Sequence, residues 1–249
     1  MRTIYSITLL FVLLSFTSPF SVMAEGKISV AVAANFISAF KEMAADFEEK
    51  SGVKVDAIFS STGNLYTQIH NGAPYDLFLS ADVERPDLLQ KEGLTDGTFI
   101  YARGQIILWS ADKHFCSAPT WQEVLKNDKI KKIAIANPTT APYGASAKAA
   151  LTKAGLWDAL QSKLVMAQTI AQVFQYASTQ AVDTGFCALS AVSSELGEKG
   201  CFYVLPEASD IVQAGCILKR TKNTVSAELF MAYLLCDSAR EIRKKHGYR

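Results

Sequence analysis

Little in this chain offers the chemistry of a metal centre, a dithiol couple or a nucleic-acid surface. Its three histidines, His70, His114 and His246, lie far apart, and none of its five cysteines forms a C-x-x-C pair. The ligand spacing of a zinc site or a redox motif is therefore missing. Basic residues number 25 against 24 acidic ones, with no basic stripe, so neither nucleic acid nor an anionic membrane is an expected partner. No run approaches the roughly 20 apolar residues of a membrane span. Exact internal repeats and low-complexity stretches are also missing.

The longest apolar-rich run, Ile7 to Phe16, stands behind Arg2 and ahead of Val22-Met23-Ala24. Positive n-region, short h-region and small-residue site read as a cleavable signal peptide over residues 1–24. No cysteine follows the run to carry a lipid anchor, so a soluble exported protein of the periplasm is expected. Removal takes away only Arg2 among the charges and leaves a mature chain of formal net charge zero, long enough for one large domain or two lobes.

In an oxidising compartment the cysteines at 116, 187, 201, 216 and 236 can pair, and their odd number leaves at least one free. Cys187, Cys201 and Cys216 fall on or beside successive strand patterns, so two of these three are the expected bridge partners.

Strand and helix patterns alternate from end to end, the signature of an α/β architecture with parallel sheets. Ile28, Val30 and Val32 alternate as a strand does; Phe36, Phe40, Met43, Ala44 and Phe47 then recur at helical spacing. Asn35 stands where that helix's N-cap belongs and Gly52 where it should stop. Further strands are expected near 53–59, 76–81, 106–110, 132–136, 185–189, 201–205 and 212–218. Helices are expected near 65–70, 82–92, 121–125, 142–154 and 170–178, with a last one from 224 to 246 broken near Asp237. The two comparable series, with no Pro/Gly/Ser-rich linker between them, indicate two α/β lobes and a ligand cleft between them.

Four short turns at strand ends carry the functional signal: Ala33 to Asn35, Ser60 to Gly63, Ser80 to Asp82, and the stretch NPTTAPYG from Asn137. Backbone N–H groups and small hydroxyls at helix starts hold an anion without a cationic side chain. A fully deprotonated dianion offers only acceptors, so it suits a site made only of donors. Phosphate near neutral pH keeps a proton and wants a carboxylate acceptor. The one acid in these turns, Asp82, reads as an N-cap.

In their order and spacing AANF, STG, NGAPYDLFLSAD, APYG and TGFCALS resemble the molybdate-binding periplasmic proteins of ABC transporters, a branch of the two-lobed type II solute-binding proteins. The resemblance covers essentially the whole mature chain. It implies molybdate or tungstate as ligand, no cofactor, a membrane permease as partner and a monomeric receptor. It also implies a first lobe over 25–105, a second over 106–210, and a return to the first over 211–249. Ligand contacts are implied at Ala34 and Asn35, at Ser61 and Thr62, and at the peptide N–H groups of Ala81, Tyr143 and Ile170. Asn35 replaces the serine of many members, and Ala188 stands where some carry a tyrosine.

Other readings keep their place. Sulfate or phosphate could replace molybdate, and a sensor domain could share the fold. GASAK at Gly144 to Lys148 superficially matches a nucleophile elbow, but its fifth position is lysine and it does not directly follow a strand pattern. A non-enzymatic receptor is therefore the expectation.

Overall fold

The computed structural model describes residues 26–249, so the signal-peptide expectation for residues 1–24 lies outside the described residues. The first series runs β1 (Lys27–Ala33), α1 (Ile37–Ser51), β2 (Lys54–Ser60), α2 (Thr62–His70), β3 (Leu77–Leu79), α3 (Glu84–Lys91) and β4 (Phe99–Gly104). One residue, Gln105, separates β4 from the second series. That series begins β5 (Ile106–Ser110), α4 (Trp121–Lys126), β6 (Ile133–Ala136), α5 (Pro142–Lys153) and β7 (Leu164–Ala167). It continues α6 (Ile170–Ser178), β8 (Thr184–Ala188), α7 (Glu195–Lys199) and β9 (Cys201–Val204). The chain then returns with β10 (Ile211–Ile217) and closes with α8 (Thr224–Leu235) and α9 (Asp237–Lys245).

Each series builds its own five-stranded sheet, in the orders β2-β1-β3-β10-β4 and β7-β6-β8-β5-β9, which gives a two-lobed α/β fold. The sheets are mixed where the alternation predicts parallel ones. β1 is parallel to β2 and β3, and β6 to β7 and β8. β10 runs antiparallel to β3 and β4, and β5 antiparallel to β8 and β9. The antiparallel pairs all involve the strands at the crossings, β4 to β5 and β9 to β10. A strand that arrives from the other lobe, rather than through a helical crossover, is free to enter against its neighbours. β4 and β7 escape the sequence reading because neither FIYARG nor LVMA alternates cleanly.

Packing follows the sequence periods. Val30 and Val32 of β1 join Phe36 of the connecting turn and Phe40, Met43 and Phe47 of α1 in one buried cluster, completed by Phe230 and Leu234 of α8. Gly52 ends α1 in the left-handed region at φ 74°, its N–H donating to the Glu48 carbonyl at 2.9 Å. Asn35 does not cap this helix. A 3-10 turn, Ala34–Phe36, precedes α1 and the N-cap position falls to Phe36, without a side-chain bond.

The disulfide joins Cys116 to Cys201, tying the 113–117 turn to β9, and this corrects the expected pairing within Cys187, Cys201 and Cys216. Cys187 lies on β8 and Cys216 on β10, interior strands of different sheets, and both thiols are free and fully buried. Burial pushes the Cys216 thiol up to about 12 and raises Cys187 further. Among the described residues no helix is long and apolar enough to cross a membrane.

Candidate functional site

All six residues singled out in the sequence, Asn35, Ser61, Thr62, Ala81, Tyr143 and Ile170, line one small, tight pocket between the two sheets. Each sits where a strand gives way to a turn or where a helix begins. Asn35 lies in the 3-10 turn after β1, Ser61 and Thr62 where β2 enters α2, and Ala81 two residues past β3. From the second lobe, Pro142 opens α5, so the Tyr143 N–H lies in that helix's first turn. Ile170 opens α6, which Thr169 caps by accepting from the Gln172 N–H at 3.1 Å. Helix starts from both lobes thus bring unpaired backbone donors and positive dipole ends to one place.

Among the described residues no Asp, Glu, Lys, Arg or His lines this pocket. Its polar side chains are neutral, and one of them lacks a partner. Ser61 occupies the N-cap position of α2 without making the capping bond, and its hydroxyl is buried and unpaired. Leaving a buried hydroxyl unpaired costs about 1–3 kcal/mol, which an acceptor arriving in the pocket would offset. Thr62 behaves differently: its Oγ1 accepts from the Ala81 N–H at 3.0 Å. The Ala81 donor is therefore already engaged, while the Thr62 hydroxyl hydrogen stays available.

Behind the pocket lies a buried polar network that the sequence reading did not find. The Asn35 side-chain amide donates to Gln213 Oε1 at 2.8 Å and to the Tyr248 hydroxyl at 3.2 Å. Gln213 Oε1 also accepts from the Tyr101 hydroxyl at 3.1 Å, and its Nε2 donates to the Tyr143 hydroxyl at 3.2 Å. Ser190 donates to the Asn35 carbonyl at 3.0 Å. Gln213 is fully buried beside a β-bulge in β10, the kind of irregularity that re-aims a side chain out of the sheet. Gly104 leaves room for the contact, since a Cβ there would lie 2.0 Å from the Tyr143 hydroxyl oxygen. Burial, and then neighbouring Tyr248, hold the Tyr101 and Tyr143 phenols well above their ordinary value. Tyr248 itself is pushed up to about 12 by burial, so all three stay neutral.

Asp82 accepts from the Arg85 N–H at 3.1 Å, the bond a capping carboxylate makes, although α3 itself starts at Glu84. It also pairs with the Arg85 guanidinium and accepts from the Ser80 hydroxyl at 2.8 Å. Ala188 lies in an adjoining hollow with Ser190 and Phe174, not in the pocket itself. The GASAK segment, Gly144 to Lys148, is inside α5, so Ser146 does not sit on a strand-to-helix elbow. No group of three or more His, Cys, Asp or Glu side chains among the described residues could hold a metal ion.

The family described as bacterial extracellular solute-binding protein matches residues 28–249. Over 227 residues the chain is 40% identical to the molybdate-binding protein ModA of Azotobacter vinelandii, covering 89% of each chain. It is 38% identical over 229 residues to the molybdate-binding protein ModA of Rhodobacter capsulatus, covering 90% of this chain and 89% of that one. The fold superposes on the periplasmic molybdate-binding protein of Azotobacter vinelandii with a TM-score of 0.85 at 34% identity, over 89% of this chain and 98% of that one. These relatives are binding proteins, not enzymes.

Proposed function

Because this chain belongs to the bacterial extracellular solute-binding protein family, we propose that it captures molybdate or tungstate, tetrahedral dianions larger than sulfate, in the cleft between its lobes. It works in the periplasm as a monomer and hands the anion to the membrane permease of an ABC transporter, with no cofactor.

The observation that carries this reading is a pocket lined by uncharged residues, with the Ser61 hydroxyl buried and unpaired. Ser61 and Thr62 give their hydroxyl hydrogens to the anion; the Thr62 oxygen accepts from the Ala81 N–H, which leaves its own hydrogen to donate. Tyr143 and Ile170 act through peptide N–H groups at helix starts. Asn35, whose amide hydrogens are taken by Gln213 and Tyr248, contributes its own peptide N–H together with that of Ala34. Donors from both lobes meet one anion only when the cleft is closed, so binding shifts an open–closed equilibrium. Protonated phosphate is disfavoured, because Asp82, the one acid in these turns, is held by Arg85 and Ser80.

Calorimetric titration with molybdate, tungstate, sulfate and phosphate tests the proposal. Molybdate and tungstate should bind tightly and the other two much more weakly. At about 100 times the dissociation constant, binding adds roughly 2.7 kcal/mol of stability. A melting temperature unmoved by millimolar molybdate but raised by a sugar or an amino acid rejects it.

A further inference from the structure

Arg85 lines no part of the anion pocket, yet its side chain crosses the cleft. It sits in the first turn of α3, on the first lobe, with its guanidinium paired to the Asp82 carboxylate. The second guanidinium nitrogen donates to the carbonyl of Thr139 at 3.0 Å, in the turn between β6 and α5 of the second lobe. The neighbouring carbonyl of the same turn, Thr140, accepts from the Gly63 N–H of α2 at 2.8 Å. That approach is close enough that a Cβ on Gly63 would lie 3.0 Å from the Thr140 Cα. Asp82 is fixed in turn, accepting from Ser80 and from the Arg85 N–H. The guanidinium is therefore aimed before the lobes meet.

We propose that Arg85 is a positioning residue that latches the cleft shut over the anion and so sets its rate of release. The proposal rests on the oxyanion-receptor reading of the same pocket. Both contacts to the 139–140 turn join one lobe to the other, so they exist in the closed state and not in the open one. A contact confined to the closed state shifts the closing equilibrium by its own free energy. The anion leaves only from the open state, so release slows by the same factor, whereas capture by the open state does not change. Arg85 also neutralises Asp82, the residue next to Ala81, which removes an uncompensated negative charge from the neighbourhood of a dianion.

Arg85→Lys separates the latch from the charge. A lysine keeps a cation beside Asp82, but its compact ammonium lacks the planar fork that reaches Asp82 and Thr139 together. In stopped-flow titration with molybdate the variant should release the anion about 5- to 50-fold faster, the range of one partly exposed charge-assisted hydrogen bond. Its association rate should stay within about twofold of the parent. An unchanged release rate, or a loss carried by association alone, overturns the proposal. Hydrogen exchange at the Gly63 amide in ligand-free protein gives a second readout that needs no anion: its protection should fall in Arg85→Lys, and equal protection also overturns the latch. If the parent protein fails to bind molybdate, the receptor reading fails while the exchange measurement still judges Arg85.

Discussion

The phenol of Tyr143, on α5 of the second lobe, accepts a hydrogen bond of 3.2 Å from the side-chain amide of Gln213, on β10 of the first. The contact is fully buried and it spans the cleft, so it is made when the lobes close. The sequence assigned Tyr143 a backbone role alone, under which Tyr143→Phe would be silent. With Gln213 facing it, the loss leaves a buried amide hydrogen unpaired at about 1–3 kcal/mol. Tyr143→Phe should therefore weaken molybdate binding by roughly 5- to 150-fold. Calorimetry on the variant, with circular dichroism to confirm folding, decides the point: parental affinity would return Tyr143 to its backbone role.

Ser61 and Thr62 are adjacent, and their loss should weaken binding alike but act differently on the ligand-free protein. Ser61→Ala removes a buried hydroxyl that has no partner in the protein, so the ligand-free melting temperature should hold or rise while affinity for molybdate falls. Thr62→Val strips the acceptor from the Ala81 N–H as well, so it should lower both, by about 1.5–3 kcal/mol in binding. Thermal scans with and without molybdate check both variants. A Ser61→Ala protein with full affinity would mean that this hydroxyl does not meet the anion.

Thiol chemistry should divide the cysteines. Cys187 and Cys216 are buried with raised thiols, so under native conditions Cys236 alone should react with a maleimide, and three thiols should react after unfolding without reductant. Five thiols in oxidised, unfolded protein would refute the Cys116–Cys201 bridge. Replacing both bridged cysteines with serine should cost about 2–5 kcal/mol, measured by denaturant unfolding.

Binding and stability should differ in their pH dependence. The pocket lining carries nothing that titrates near neutrality, so molybdate affinity should be flat from about pH 6 to 9. Stability draws on depressed carboxylates. Glu42 is lowered first by its hydrogen bond from Lys245 and then by His246, and Glu48 first by the Val55 N–H. Because the folded-state values lie below the ordinary 4.5, their contribution is complete above that range and disappears as pH falls through the lowered values. Urea midpoints should hold from about pH 6 to 8 and drop below about pH 4.5. A midpoint that rises on acidification contradicts this, and the drop should be modest because both carboxylates are partly exposed.

What the sequence discloses here is what local chemistry determines. Gly52 and Pro142 mark a helix end and a helix start by their backbone limits alone; five of the six pocket residues lie in or beside turns whose composition announces them, while Ile170, at the start of α6, is implied only by the family resemblance. Asn35 is legible as a polar residue at a strand end but not as a partner of Gln213, 178 residues away. Gln213 joins the site from a bulge in β10, Ser190 from the turn after β8 and Tyr248 from beyond α9, and no single stretch of sequence gives a sign of their meeting. The disulfide fails for the same reason. Cys116 sits in an irregular turn with no periodic signal, while Cys187 and Cys216 look adjacent along the chain and belong to different sheets.

The place of β10 imposes a timetable on the chain as it emerges. β10 lies between β3 and β4, so the first sheet has a vacant slot until residue 217 is available. The second sheet takes all its strands from the continuous stretch 106–204 and needs nothing outside that stretch to close. It is free to form first, while β3 and β4 still expose edges that another chain could pair with. The donor turns after β1, β2 and β3 therefore stand on an incomplete sheet until β10 has arrived. A chain cut short before β10 would therefore present those edges permanently and should aggregate, while still containing most of the residues that line the pocket.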